Sequence, residues 1–379
     1  MNAAGTDPST GSATLPTLGI VGSAGAYGRW MRTLVASRLG WAVLGSDPAD
    51  PESLSADALI DRCDILLFSA PVRRTEGLIR DYAARAGAHA RDQLWLDLTS
   101  IKLAPVRAML GSEAEVVGLH PMCAPPKSPS LKGRLLVVCE ARLDRRRPWL
   151  EALLGALEAE CVRMSADEHD RCMAVVQNLV HAGNLAATLA ASRLAERGTL
   201  QAASLLACRT VGYEADFATA ARMLAGNAEL YIDILLGNPH AQEAISLLAA
   251  ELSSIGARIA SNDAQGLRAA HFDPARAFLG DALLAHGNHT FERIGYLLAD
   301  LNDHHALSVH LVEDRPGSLR ALLEIFEREG INIESAHSSR TPEGKVHFRF
   351  GFARETPVDA VQRAAAAIAE SGLGELLAT

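Results

Sequence analysis

Several broad classes are ruled out by what the sequence does not contain. It has no CxxC pair. The six cysteines, Cys63, Cys123, Cys139, Cys161, Cys172 and Cys208, are scattered, mostly inside apolar runs, which reads as reduced, buried thiols of a cytoplasmic protein rather than a disulfide framework or a thiolate zinc site. No cluster of His, Cys, Asp and Glu has metal-ligand spacing, so no metal is expected. No uninterrupted stretch of ~20 apolar residues occurs, so no membrane-spanning helix is expected. Positive charge is in deficit, with a formal net charge of −9, and a nucleic-acid backbone needs a basic face. The first fifteen residues carry no Lys or Arg and no apolar core, so this Ser-, Thr-, Gly- and Ala-rich stretch (1–15) reads as a disordered tail and not as a secretory signal.

What is present reads as a globular enzyme of more than one domain: 379 residues, 49% hydrophobic and 21% charged. Over residues 16–165 short apolar runs alternate with amphipathic stretches. The strand candidates are Leu18–Val21, Trp41–Leu44, Ile65–Phe68, Leu94–Leu98, Val116–Leu119 and Leu135–Cys139. Such alternation predicts an α/β Rossmann-like domain with a parallel sheet and helices on both faces. Residues 166–300 lose the strand pattern and read as an all-helical domain. Its Ala-rich helices suit close backbone packing, and a homodimer is expected. Residues 304–379 read as β-α-β-β-α, a small α+β domain.

Between the first strand and the first helix lies Gly22-Ser23-Ala24-Gly25-Ala26-Tyr27-Gly28. A Gly-rich turn there lets backbone N–H groups and the helix N-terminus meet a pyrophosphate. The glycine spacing has Ser23 where the first glycine is usual, with Gly22 beside it. The second strand leads into Asp47, placed to accept the ribose hydroxyls of NAD and to repel the 2′-phosphate of NADP, and no Arg follows immediately to welcome that phosphate. Ser69-Ala70-Pro71, a turn at a strand end, completes the expected cofactor site of Gly22, Ser23, Gly25, Tyr27, Gly28, Asp47, Ser69 and Pro71.

Three further segments carry reactive side chains: Asp97-Leu98-Thr99-Ser100-Ile101-Lys102, Gly118-Leu119-His120-Pro121-Met122, and the run from His169-Asp170 through Gln177-Asn178 to His181. Ser100 and His120 fall at C-terminal strand ends, where doubly wound folds place their sites. Pro121 restricts His120 to an extended backbone. On one continuous α-helix Asp170, Gln177 and His181 share a face, while His169 lies off it and is left outside the site.

This ordered set resembles the prephenate dehydrogenase family over about residues 17–300. The resemblance implies that His120 is the catalytic histidine, that Ser100 supports it and the substrate hydroxyl, and that Arg222 holds a substrate carboxylate. It also implies that His181 is a second substrate-side residue, although a core histidine is the alternative. Lys102 is read either as a positive charge near the dianionic substrate or as a surface residue. The implied activity is NAD-dependent conversion of prephenate to 4-hydroxyphenylpyruvate in tyrosine biosynthesis. Alternatives are an arogenate or 4-amino-4-deoxyprephenate dehydrogenase, or a non-catalytic sensor. A β-hydroxyacid dehydrogenase is expected to use a helical-domain Lys, and residues 166–300 contain none. Members typically follow His-Pro-Met with Phe-Gly-Pro, where this chain has Cys123-Ala124-Pro125, a change that bears on pocket shape. The segment Val312–Leu319 with Gly330–Ser335 resembles an ACT domain, which implies an aromatic amino acid effector near Asp314, Pro316, Gly317 and Asn332. The last strand of such a domain is poorly represented, since Leu373–Thr379 alone remains for it.

Overall fold

The computed structural model describes residues 15–125, 128–198, 201–302, 305–340 and 345–377. The expected tail lies outside these, apart from Leu15. The first region runs β1 (Leu18–Val21), α1 (Ala26–Leu39), β2 (Val43–Ser46), α2 (Ala56–Arg62), β3 (Ile65–Phe68), α3 (Val72–Ala86), β4 (Leu94–Asp97), α4 (Leu103–Leu110), β5 (Glu115–Pro121), β6 (Leu135–Arg142), α5 (Arg147–Leu157) and β7 (Glu160–Arg163). These strands form one seven-stranded sheet in the order β2-β1-β3-β4-β5-β6-β7.

Two apolar layers explain why strands β1, β3 and β4 read as continuous hydrophobic runs. Successive side chains point to opposite faces, and both faces are covered. Leu18, Ile20, Ile65, Leu67, Leu94 and Leu96 join one core with Leu34 and Val35 of α1 and Leu150 of α5. Val21, Leu66, Phe68 and Trp95 join the other with Ile79 and Tyr82 of α3. Phe68 packs edge-on against both Tyr82 and Trp95.

The sheet is not wholly parallel, which corrects the sequence reading. β5 and β6 pair antiparallel. Among the described residues no helix separates them in the chain, and a parallel neighbour needs a crossover that so short a connection does not supply. β7 is an unanticipated strand, parallel to β6; with polar Glu160 and Arg163 at its ends it offers no apolar run to read.

The helical region comprises α6 (Ala166–Met173), α7 (Val180–Glu196), α8 (Ala202–Ala207), α9 (Val211–Ala225), α10 (Ala228–Gly237), α11 (Ala241–Ala260), α12 (Ala264–Leu267) and α13 (Asp273–Asn302). A π-helical turn, Ala174–Leu179, joins α6 to α7, and α13 is broken at Gly280. The chain forms two compact units: one reaches Gly183 and includes Met223–Ser246, and the other takes Asn184–Arg222 and Leu247 onward. The segment expected as a single helical domain, 166–300, is therefore shared between them. None of the described helices is long and apolar enough to cross a membrane.

The C-terminal elements are β8 (Ala306–Leu311), α14 (Ser318–Arg328), β9 (Ile333–Arg340), β10 (Val346–Phe352), α15 (Val358–Glu370) and β11 (Gly374–Leu377). They form an antiparallel sheet in the order β11-β8-β10-β9. The closing strand that the sequence leaves in question is present, with Gly374–Leu377 paired to β8. Val309, Leu322, Phe326, Phe350 and Ile368 fill the core beneath it.

All four tryptophans, Trp30, Trp41, Trp95 and Trp149, lie in the first region, so their fluorescence reports on it. Ile20 is fully buried at its centre. Ile20→Ala is expected to cost about 2–5 kcal/mol, seen as a lower urea midpoint in tryptophan fluorescence.

Candidate active site

The Gly-rich turn is shaped by close approach. Gly22 has φ +92°, and a Cβ there would lie 2.6 Å from the carbonyl oxygen of Ser69. A Cβ on Gly28 would lie 2.2 Å from the carbonyl oxygen of Gly22. The turn is held by Gly22 N–H donating to Ser46 O and Gly25 N–H to Gly22 O. Gly25 caps α1 without any side-chain hydrogen bond, which leaves the first-turn N–H groups open to an anion. The turn fits a pyrophosphate for these reasons.

Asp47 stands where the sequence places it, beside the turn. Its carboxylate accepts the N–H groups of Ala24 (3.3 Å) and Ala49 (2.8 Å). Ser23 brings no side chain to the site, because its buried hydroxyl donates to Asp50 (2.9 Å). The Tyr27 hydroxyl is also engaged, donating to the Cys123 carbonyl, and burial pushes its pKa far up. Both hydroxyls therefore already have partners within the chain. Pro71 is exposed and precedes α3. A cation lies nearer the end of β2 than the sequence suggests: Arg32 ion-pairs with Asp50 at 3.0 Å, and a Cβ on Gly45 would touch its guanidinium.

The C-terminal ends of β4 and β5 in the same sheet hold the reactive groups. His120 is nearly buried on β5, and its Nδ1 lies 2.8 Å from Nε2 of His169. Nδ1 of His169 lies 2.8 Å from Asp170 Oδ1. Asp170 also accepts the N–H groups of Lys102 and Leu103, each at 2.8 Å, and so caps the start of α4, where negative charge is favoured. Burial, with the neighbouring His169 ring and the Lys102 ammonium, holds His120 well below the ordinary histidine range. No hydrogen bond to Nε2 of His120 occurs among the described residues. Ser100 sits half-buried just beyond β4, the strand paired with β5, and its hydroxyl makes no hydrogen bond among the described residues.

His169 is the residue the sequence reading left out. The helical-wheel argument assumes an unbroken α-helix, whereas Ala174–Leu179 is a π turn, bonded i→i+5, which rotates the chain less per residue. The shared face of Asp170, Gln177 and His181 does not survive this turn. An adjacent His-Asp pair following a Ser165 cap is the signal that points to it. His181 packs edge-on to Tyr231 at 5.0 Å between centroids and is half-buried, with burial lowering its pKa.

Lys102 is neither a surface residue nor a substrate cation. It is fully buried, and its ammonium donates to Asp97 and to Leu119 O. Desolvation pushes the Asp97 carboxyl up and the Lys102 charge opposes it. Arg222 is exposed on α9 and belongs to the second compact unit.

In the C-terminal sheet, Asp314, Pro316 and Gly317 form the exposed turn before α14. β8 and β9 both pair antiparallel to β10, so they run the same way, and Asn332 lies at the other end of α14 from that turn. Eleven residues at 1.5 Å each put the two about 16 Å apart. The sequence reading that joins them in one site within a single chain is corrected accordingly. A cavity of about 180 Å³ opens at the Asn332 end instead, lined by His305, Phe352, Thr356, Val361 and Gln362 among others.

Residues 165–271 match the family described as prephenate dehydrogenase, dimerization domain, and residues 305–370 match the ACT domain. The chain is 32% identical over 221 residues to the T-protein of Enterobacter agglomerans, covering 58% of this chain and 56% of that one. It is 28% identical over 264 residues to the T-protein of Haemophilus influenzae, covering 68% and 64%. Residues 165–271 thus resemble the dimerization domain of prephenate dehydrogenases, and residues 305–370 an ACT domain. The chain spans less than two thirds of the length of either T-protein. Within the same group of enzymes, the 4-amino-4-deoxyprephenate dehydrogenase of Streptomyces pristinaespiralis is 29% identical over 282 residues, covering 69% of this chain and 90% of that one. The fold is shared with prephenate dehydrogenase from A. aeolicus, solved in complex with hydroxyphenyl propionate and NAD+. That match has a TM-score of 0.53 at 17% identity, over 76% of this chain and 100% of that one.

Removing one partner of a buried ion pair strands the other. Lys102→Met is expected to destabilise the protein by about 3–5 kcal/mol, with Asp97→Asn in the same chain recovering part of the loss. Urea denaturation of both variants checks this.

Proposed function

We propose that the protein is an NAD-dependent dehydrogenase that converts prephenate to 4-hydroxyphenylpyruvate and carbon dioxide. The observation that carries this reading is His120: a buried imidazole kept neutral, near the C-terminal end of β5 in the sheet that carries the Gly-rich turn, with Nε2 unengaged among the described residues. A neutral imidazole there accepts the ring-hydroxyl proton of the substrate. Nicotinamide, when bound, supplies the hydride acceptor. Ser100 is proposed to hold the same hydroxyl in line with His120. Arg222 is proposed to bind a substrate carboxylate, with His181 on the substrate side. The open amides between Gly25 and Gly28 would hold the pyrophosphate, with Ser69 and Pro71 alongside. Asp47 disfavours a 2′-phosphate, and Asp50 keeps Arg32 occupied, so NAD is preferred over NADP.

Cys123 and Ala124 favour a second reading, in which the substrate is arogenate or 4-amino-4-deoxyprephenate, because they replace the Phe-Gly that shapes the pocket in most members. Assays of NADH formation with all three substrates decide between them, and no turnover with any of them would overturn the proposal. His120→Asn is expected to lower kcat by ~10²–10⁴ with NAD affinity unchanged, and near-normal turnover would remove His120 from the chemistry.

The ACT domain is proposed to bind an aromatic amino acid, its carboxylate at the α14 N-terminus beside Asp314 and Pro316. Asn332 joins that site only when a second copy supplies it, which accords with a homodimer. Inhibition requires that the ligand prefer one arrangement of the enzyme. Calorimetry with tyrosine should show binding to the intact chain that Gly317→Val abolishes, since Gly317 has φ +98° and valine cannot adopt it without strain. Undiminished binding by the variant would place the ligand elsewhere.

A further inference from the structure

We infer that His169 and Asp170 form a relay behind His120 that fixes which of its nitrogens faces the substrate and takes up the positive charge once that nitrogen is protonated. The inference rests on His120 being the base.

Hydrogen-bond directions assign the protons. The Asp170 carboxylate can only accept, and it already takes the N–H groups of Lys102 and Leu103. Its 2.8 Å contact with Nδ1 of His169 therefore places a hydrogen on that nitrogen. Nε2 of His169 is left with its lone pair, so its 2.8 Å contact with Nδ1 of His120 places a hydrogen on Nδ1. Nε2 of His120 then carries the lone pair that a base needs. The opposite tautomer would set two lone pairs against each other at 2.8 Å among residues that are 0–4% exposed, where no water relieves the repulsion.

The same chain moves charge. When Nε2 of His120 takes the hydroxyl proton, the Nδ1 proton passes to Nε2 of His169, and His169 becomes an imidazolium against the Asp170 carboxylate. One proton enters and one shifts along the chain, with no change in electrons, and the reverse shift restores the resting state. The surrounding groups favour this placement. The Lys102 ammonium, itself paired with Asp97, opposes a cation on His120. Cys139 on β6 stays a neutral thiol, pushed up to about 12 by burial. Glu168 on α6 is exposed. Asp170 is the carboxylate in contact. His169 and Asp170 touch no reacting atom in this scheme and are positioning residues.

Two measurements test it. In ¹⁵N-histidine NMR of the intact wild-type protein without substrate, His120 should carry its hydrogen on Nδ1; a hydrogen on Nε2 overturns the relay. His169→Gln keeps an acceptor for His120 but cannot take a proton. Its kcat should fall about 10- to 10³-fold, with KM for prephenate and affinity for NAD within about threefold of wild type. The acid limb of its kcat profile should move to lower pH, because His120 loses the anionic partner that raises its basicity, whereas a merely structural loss lowers the plateau without moving the limb. Wild-type kcat with an unmoved limb overturns the relay. Asp170→Asn also removes a cap of α4, so it is read only if its urea midpoint is that of wild type. If the wild-type protein turns over none of the three substrates, the proposed function fails, while the NMR, which needs no substrate, still decides the relay.

Discussion

The carboxylate of Asp170 is the constraint on which the site depends. It lies on α6, the first helix after the sheet, and accepts the two leading N–H groups of α4. Those amides belong to the loop that carries Ser100 off the end of β4. A buried helix start without such partners is costly, since its amides have no others. One interaction thus fixes α6, orients His169 and sets the distance to β5, where His120 stands. Asn238 adds to it, donating its amide to the Asp170 carbonyl at 2.8 Å, so the stretch before α11 is tied to the same point.

The Lys102–Asp97 pair is a second constraint of a different kind. Burying both ions is costly, and their attraction only offsets the cost when further hydrogen bonds complete it. Thr99 and the Leu119 carbonyl do so in part, although one Asp97 oxygen has no partner among the described residues. Stability alone does not account for such a pair. It reaches from β4 to the strand bearing His120, and its ammonium adds to the burial that chiefly holds that imidazole neutral. The pair thus helps keep His120 neutral, as the proposed base must be, while disfavouring a cation on it, and the proposed relay to Asp170 offsets that cost.

Much of this was legible in the sequence, and the omissions have physical causes. Strands β1, β3 and β4 stand out because burial on both faces forces unbroken apolar runs. β7 and β11, of the same length, do not, because polar or small residues break their apolar pattern and their pairing is decided by distant partners. Ser100 and His120 follow from strand ends, a local rule. His169 is missed because a helical wheel cannot foresee a π turn. Lys102 is misread because a lysine's burial depends on Asp97, five residues away and across a loop. Asn332 is misplaced because proximity in sequence across α14 means separation by the length of that helix.

The departure at Cys123-Ala124 is narrower than the sequence makes it look. Tyr27 fastens this loop through the Cys123 carbonyl, a group that every residue carries, and Trp30 donates to the Ser128 carbonyl further along at 2.9 Å. α1 therefore anchors the loop after His120 by its backbone, whatever side chains stand there. Replacing an aromatic side chain by a thiol removes bulk without releasing the loop. Because the same helix presents the open amides to the cofactor site, that site and the wall of the pocket are referred to one rigid element. The side chain at position 123 is thus free to vary while the loop backbone, His120 and the Gly-rich turn keep their places.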